Sequence, residues 1–327
     1  MRISIVMPTY NGMGYVQQAV ESLLQQDYEE WELIISDDGS RDGTREYLAT
    51  LQGARVKVHR QEKNLGIFGN LNFLFRQASC EITQIFCQDD YFVDCGALGR
   101  LVAEWEKLPG EVAFLRCNHE LANANSPLCA LEREVLPERI SPKMSDIYFA
   151  VFGCIPGNLS NVSVRTAAVR EAGWFRADLP YAGDFEFWSR LGRKASWALT
   201  ETKTIFVRSH SGQASNYLNF KGELLPQMRE VLEALYPNAV AAGASARLLR
   251  LLMTINYVAQ HKDRGVKSLL LKRDGTYLRV VMREFDRGSF AYGPFLSWVV
   301  FFGSLGGRLF RVPLARRLFR EMAVLGR

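Results

Sequence analysis

Along the first 117 residues, short apolar runs alternate with stretches whose apolar positions recur every three to four residues. Strand-length runs lie at 2–7, 31–36, 55–59, 82–87 and 111–117, and amphipathic helices are expected between them at 14–26, 42–51, 67–79 and 96–108. That rhythm predicts βαβ units, right-handed crossovers and a mostly parallel sheet whose ligand edge lies at the strand C-termini. From 118 to 157 the pattern breaks up around Pro127, Pro137, Pro142 and Pro156, which reads as an insertion or loop region suited to lining an acceptor site. Periodicity returns as a strand in "NLSNVSVRT", a short helix in "AAVREAGWF", a helix starting near Asp184 in "GDFEFWSRLGRK", and a strand pair at roughly 195–208. Beyond 220 the chain reads as largely helical, with no internal repeat and no low-complexity tract.

Two acidic turns stand out against this pattern. "IISDDGSRDGT" at 34–44 and "FCQDDYF" at 86–92 each follow an apolar strand. Carboxylates at the C-terminal ends of strands face the crevice where open α/β sheets bind ligands, so the two turns are candidate walls of one site.

Length and composition narrow the class. The chain has 327 residues, 48% of them hydrophobic, enough for one large domain or a catalytic domain with an accessory part, and too apolar for disorder. The net charge of +5 is uneven: from Arg308 to Arg327 six arginines face only Glu321, so the remainder sums to zero. A neutral body with a basic tail argues against a nucleic-acid-binding fold. The six cysteines form no C-x-x-C pair and no zinc-like spacing with histidine, so they read as reduced thiols of a cytoplasmic chain. The N-terminal "MRISIVMPTY" is too short in its apolar run for a signal peptide and reads as a first strand.

The motifs "PTYN" (8–11), "DDGSRDGT" (37–44), "NLGIFGN" (64–70), "QDD" (88–90), "GDFEFWSRL" (183–191) and "VRSH" (207–210), in this order and spacing, resemble glycosyltransferase family 2 of the bacterial cell-surface polysaccharide type. The resemblance covers about residues 1–215. It implies a GT-A (Rossmann-like) α/β fold, a mostly parallel sheet flanked by helices with a helical C-terminal extension at 216–327. It also implies inverting transfer from a nucleotide-diphosphate sugar, with UDP favoured, to a saccharide or lipid-linked saccharide acceptor.

Residue chemistry fits that reading. In "PTYN", Tyr10 offers a ring for stacking a base, and Pro8, Thr9 and Asn11 shape and polarise the turn. Asp37 and Asp38 accept hydrogen bonds from a base N–H or ribose hydroxyls; the resemblance puts Asp38 on the base. Asp42 and Thr44 suit the cap of the following helix, which leaves Asp37 and Asp38 free for the ligand. Asn64, Gly66 and Asn70 frame a turn into a helix whose backbone N–H groups can approach a diphosphate. In "QDD" a carboxylate-held Mn²⁺ or Mg²⁺ would offset the charge on the leaving diphosphate. The family often writes this motif D-x-D, and here Gln88 takes the first place, leaving Asp90 as metal ligand and Asp89 directed at ribose or a metal-bound water. The resemblance places His210 in the metal shell and makes Asp184 the general base, although an acid pair is usual there and Gly183 replaces its first member. Glu186 is a weaker alternative base, and Trp188 and Arg190 read as helix packing and surface.

Other classes fit less well. A nucleotide-sugar-binding module without turnover is the alternative that Gln88 and Gly183 suggest. A sugar-nucleotidyltransferase would need a glycine-rich, Lys/Arg-bearing loop after the first strand, which the chain lacks, and a Rossmann dehydrogenase fits less well still, because "NGMG" there does not make the dinucleotide fingerprint G-x-G-x-x-G. Gly288–Gly307 is a run of twenty uncharged residues, followed by "RLFRVPLARRLFREM", where Leu309, Phe310, Leu314, Leu318 and Phe319 alternate with arginines. The segment 288–327 reads as an interfacial, membrane-associating tail on the cytoplasmic face of the cell membrane, or as a hairpin packed on the rest of the chain.

Overall fold

The computed structural model describes residues 1–118, 127–210 and 222–324. These fall into two compact units, one from 1–120, 137–141 and 156–209, the other from 121–136, 142–155 and 210–327. The expected domain end at 215 and the terminal Arg327 lie outside the described residues.

The first unit is built on an eight-stranded sheet ordered β3-β2-β1-β4-β8-β6-β9-β7. β1 (Ile3–Thr9) and β2 (Trp31–Asp37) are buried at every position, as a strand covered on both faces requires. β3 (Val56–Arg60) and β4 (Ile82–Ile85) extend this parallel run on either side. α1 (Val16–Leu24) and α4 (Ala97–Glu106) cover one face, where Val20, Leu23, Leu101 and Trp105 meet Ile3, Ile5, Leu33 and Ile35. α2 (Thr44–Thr50) links β2 to β3, and α3 (Gly66–Gln77) leads into β4 against β1 and β2. The chain runs outward from β1 to β3 and then returns to β4 on the other side of β1. The switch point where ligands bind therefore lies between the C-terminal ends of β1 and β4.

β8 (Val162–Arg165) is antiparallel to both β4 and β6 (Val112–Arg116). The expected pair at 195–208 is two strands with separate partners. β9 (Ser196–Leu199) joins β6 and the short β7 (Arg139–Ile140), while β10 (Ile205–Phe206) pairs with β5 (Tyr91–Phe92) in a separate ribbon. α7 (Thr166–Ala172) and α8 (Gly183–Gly192) follow β8 as expected.

The stretch read as a loop is largely helical. α5 (Pro127–Val135) and α6 (Pro142–Phe152) each begin on a proline. At a first helical position proline sacrifices no hydrogen bond and its fixed φ is already helical, so both residues start helices. Both helices belong to the second unit. There the carbonyls of Phe149, Ala150 and Val151 at the end of α6 accept from Tyr257 and Asn256, which satisfies groups the helix leaves open.

The rest of the second unit comprises α9 (Leu224–Ala241), α10 (Ala246–Met253), a π turn at Thr254–Ala259, α11 (Gln260–Lys272), α12 (Thr276–Glu284), α13 (Pro294–Gly303) and α14 (Arg311–Val324). The uncharged run yields only α13, ten residues or about 15 Å, half a bilayer core. No helix among the described residues is long and apolar enough to cross a membrane. α14 is not the lipid-facing element the arginine pattern suggested. Its Ala315, Leu318 and Met322 are buried and Phe319 stacks on Tyr148 and Phe152, while Arg316 and Arg317 pair with Glu134 and Glu321.

α13 is held on one side and open on the other. Lys262, fully buried, sits 2.9 Å from Asp286, donates to Ser297 Oγ at 2.5 Å and lies 4.4 Å from the Trp298 ring centre. On the opposite side Phe295 (79% exposed), Leu296, Val299 and Phe302 (68% exposed) face solvent.

Candidate functional site

Three loops meet at the C-terminal edge of the sheet. β1 leads into residues 10–13, β2 into 37–44 and β4 into 86–90. Asp38 N–H donates to Thr9 O at 2.8 Å, joining the first two. Tyr10 N–H donates to Gln88 Oε1 at 2.9 Å and Gln88 Nε2 donates back to Tyr10 O at 3.0 Å, joining the first and third. The two acidic turns are thus walls on either side of the β1 loop.

Within "PTYN" only part of the expected polar surface is open. Pro8 lies in β1 opposite Ser36, and Thr9 is buried with its hydroxyl on Ser36 O. Asn11, at φ 47°, uses Oδ1 to accept from Arg41 N–H. Tyr10 is half exposed, at 49%.

Asp37 and Asp38 are not the free pair expected. Asp42 and Thr44 do bond each other at the start of α2, but Asp38 is itself a cap. Its two carboxylate oxygens accept from Leu65 N–H at 2.7 Å and Gly66 N–H at 3.0 Å at the start of α3. Burial raises the Asp38 pKa, against the lowering effect of those two N–H groups. Gly66 N–H also meets Asn64 Oδ1, so the N–H groups of Leu65 and Gly66 in this turn are already satisfied within the chain. Asn70 is buried on Ser36 O through Nδ2 rather than lining the turn. Asp37 accepts from Ser40 N–H through Oδ1; its Oδ2, 3.6 Å from Arg45 Nε, has no hydrogen-bond partner, and neither has Asn70 Oδ1. Two buried acceptors close to the end of β2 therefore await donors, such as a base N–H or a ribose hydroxyl.

At the end of β4, Cys87, Asp89 and Asp90 bring one candidate ligand atom each within 4.8 Å of one another. Asp90 is fully buried; Oδ1 accepts from Arg208 N–H at 3.0 Å and Oδ2 has no hydrogen-bond partner. Burial pushes its pKa up to about 6, against the Ser160 hydroxyl and Arg208, which favour the ionised form. Burial and the nearby Asp90 and Asp89 keep the Cys87 thiol protonated, so the donors on offer are carboxylate oxygens. An orphaned buried carboxylate oxygen beside a second carboxylate fits a hard divalent cation of the Mg²⁺ or Mn²⁺ kind. His210 follows Arg208 by two residues and belongs to the second compact unit.

Asp184 opens α8, where its Oδ1 accepts from Phe185 N–H at 2.7 Å. Burial pushes its carboxyl up to about 6, into the range where a carboxylate is an effective base near neutrality. Glu186 is tied to Arg190 at 2.6 Å, which removes it as a free base. Arg190 is not the surface residue expected, since its guanidinium also caps the carbonyls of Ala172 and Trp174. Gly183 lies against Phe68 of α3, which joins the start of α8 to the helix capped by Asp38.

Sequence reading missed Gln88 as a backbone clasp, Ser160 and Arg208 around Asp90, and Phe68 beside Gly183. Arg208 was within reach, since it stands inside "VRSH"; its guanidinium lies 4.9 Å from the Tyr91 ring centre and 5.2 Å from that of Tyr15.

Residues 4–127 match the family model for glycosyl transferase family 2. A Rickettsia felis protein, named an uncharacterized glycosyltransferase, is 26% identical over 224 residues, 68% of this chain and 36% of that protein, so the chain spans little more than a third of that relative. The Escherichia coli UDP-Glc:alpha-D-GlcNAc-diphosphoundecaprenol beta-1,3-glucosyltransferase WfgD is 29% identical over 139 residues, 42% of this chain and 53% of that protein. Among solved structures, S. aureus TarS 1–349 in complex with UDP-GlcNAc is similar with a TM-score of 0.63 at 17% identity, covering 100% of this chain and 93% of that one. That likeness is one of fold.

Proposed function

We propose that this chain, which belongs to glycosyltransferase family 2 and has a GT-A fold, moves a sugar from a nucleoside-diphosphate sugar to an acceptor hydroxyl with inversion. The observation that carries the reading is the joined edge of β1, β2 and β4. There a half-exposed Tyr10 ring follows β1, the Asp37 and Asn70 oxygens that lack a hydrogen-bond partner lie at the end of β2, and the buried Oδ2 of Asp90 follows β4, all on the edge where the switch point falls.

In this reading Tyr10 stacks the base and Asp37 accepts from the base or ribose. Asp90, with Asp89, would hold a divalent cation. When bound, the cation supplies Lewis-acid stabilisation of the diphosphate as its charge grows. Asp184 accepts the proton of the acceptor hydroxyl while that oxygen bonds C1 and the bond from C1 to the diphosphate oxygen breaks. The burial that raises its pKa makes it a better proton acceptor than an exposed carboxylate. The N-terminal end of α8 favours its ionised form, which keeps it usable as a base.

UDP is the proposed donor nucleotide and a lipid-linked saccharide the proposed acceptor, in line with the name of the E. coli relative. The membrane face we assign is the outer side of α13 and the turn after it. There Leu305, Leu309 and Phe310 are exposed, so that apolar insertion is the main attraction, with Arg308 mostly exposed beside them but 3.8 Å from Asp263. The test of the activity is a panel of UDP-, GDP- and dTDP-sugars with Mn²⁺, with and without a polyprenyl-diphosphate-linked saccharide, scored for released nucleoside diphosphate. Acceptor-dependent release from one donor supports the proposal; no release from any donor overturns it.

A further inference from the structure

We infer that Gln88 is a positioning residue for the nucleotide, acting through Tyr10; the inference rests on the nucleotide-sugar reading above. The ladder between β1 and β4 ends at Val6, whose carbonyl accepts from Phe86 N–H at 2.9 Å. Pro8 has no N–H to continue it. Beyond that point the two strands part and the crevice opens, and the next link across it is the Gln88 amide, which answers both the N–H and the carbonyl of Tyr10. A carboxylate cannot make this clasp, because it accepts but does not donate. An Asp in this place would also be one methylene shorter and would add a third negative charge beside Asp89 and Asp90.

The rest of the β1 loop is held in the same manner. Four consecutive N–H groups, of Tyr10, Asn11, Gly12 and Met13, donate to the side chains of Gln88, Ser40, Thr44 and Asp42. Three of these partners come from the β2 loop, and Gln88 alone reaches over from the β4 side. Gly12 is shaped to it: a Cβ there would lie 2.1 Å from Gln88 Oε1. Gln88 therefore sets where the exposed Tyr10 ring stands relative to the acidic loop that begins at its own backbone. It orients the shelf for the base from the side where the diphosphate would lie.

The experiment is a double-mutant cycle read by calorimetry with Mn²⁺, using whichever of UDP, GDP and dTDP the wild-type chain binds most tightly. Tyr10→Ala and Gln88→Ala should each weaken binding about tenfold, on the scale of one stacked base or a pair of hydrogen bonds. The double variant should bind no more weakly than Tyr10→Ala alone. Gln88→Glu, which keeps the length and loses the donor, should fall on the same side as Gln88→Ala and serves if that variant does not fold. Independent, multiplying effects of the two substitutions, or wild-type affinity in the Gln88 variants, would overturn the inference while leaving the nucleotide site intact. Absence of binding of all three nucleotides by the wild-type chain would instead overturn the reading on which it rests.

Discussion

The backbone of Gly183 lies directly on the ring of Phe68: a Cβ at 183 would come within 2.6 Å of Phe68 Cε2 and 3.1 Å of Arg176 O. An acid at this position, usual in the family, would need the ring to move. Phe68 is itself stacked on Phe175 at 5.5 Å between ring centres, so it has little room to yield. Phe68 and Gly183 thus fit together, and the carboxylate that serves as base at the start of α8 is Asp184 alone in the proposed mechanism.

Gly183→Ala should therefore destabilise the fold by about 1–3 kcal/mol, the usual cost of overpacking a filled core. Gly183→Asp should do so by more and should not raise the rate of transfer. Thermal unfolding of the two variants checks the first statement, and turnover at saturating donor the second.

Asp184→Asn should lower kcat by about 10²- to 10⁴-fold while nucleotide affinity stays near wild type. In the wild type, kcat/KM should rise with pH through about 6 as the partly buried Asp184 carboxyl gives up its proton. The same shift has a stability consequence. The folded pKa is about 6 and the ordinary value 3.8, so the stabilisation from this group is complete below about 3.8 and is lost as pH rises through about 6. Relative to wild type, Asp184→Asn should gain about 1–3 kcal/mol between pH 4 and pH 7.5, measured as the change in the gap between the two denaturation midpoints. A gap that does not vary with pH would contradict the burial argument.

Activity should require a divalent cation and should be lost in EDTA and regained with Mn²⁺ or Mg²⁺. Asp90→Asn keeps an acceptor for Arg208 N–H but removes the charge, and should weaken Mn²⁺ binding, followed by paramagnetic relaxation of water, by at least about tenfold. Full turnover in EDTA would remove the cation from the account.

On anionic vesicles, replacing Phe295 and Phe302 together by Ser should abolish flotation, since each aromatic contributes about 1.5–3 kcal/mol when its exposed surface is buried. Arg317→Gln on α14 should change flotation little. The reverse result would return the membrane role to the arginine-rich helix.

Much of this architecture was legible in the sequence because it follows from local pattern. The apolar-rich runs of β1 and β2, the intervening amphipathic helices and the acids at or directly after strand ends all lie within windows of ten to fifteen residues. The features that escaped depend on partners distant in sequence. Asp38 looks available until Leu65 and Gly66 fold onto it, and Gln88 looks like a lost ligand until Tyr10 is beside it. Pro127 and Pro142 look like loop markers in the sequence, yet proline starts helices as well as ending them. In the arginine-rich segment, which apolar face is covered is decided by Tyr148 and Phe152, far outside it.

The central claim is in-line displacement at C1 with Asp184 as the base, and the anomeric configuration of the product tests it most directly. With an α-linked nucleotide sugar, Mn²⁺ and a lipid-linked saccharide, the proton coupling at the new anomeric centre should report a β linkage, and Asp184→Asn should form little of it. An α linkage, or equal yield from the Asp184 variant, would contradict the account.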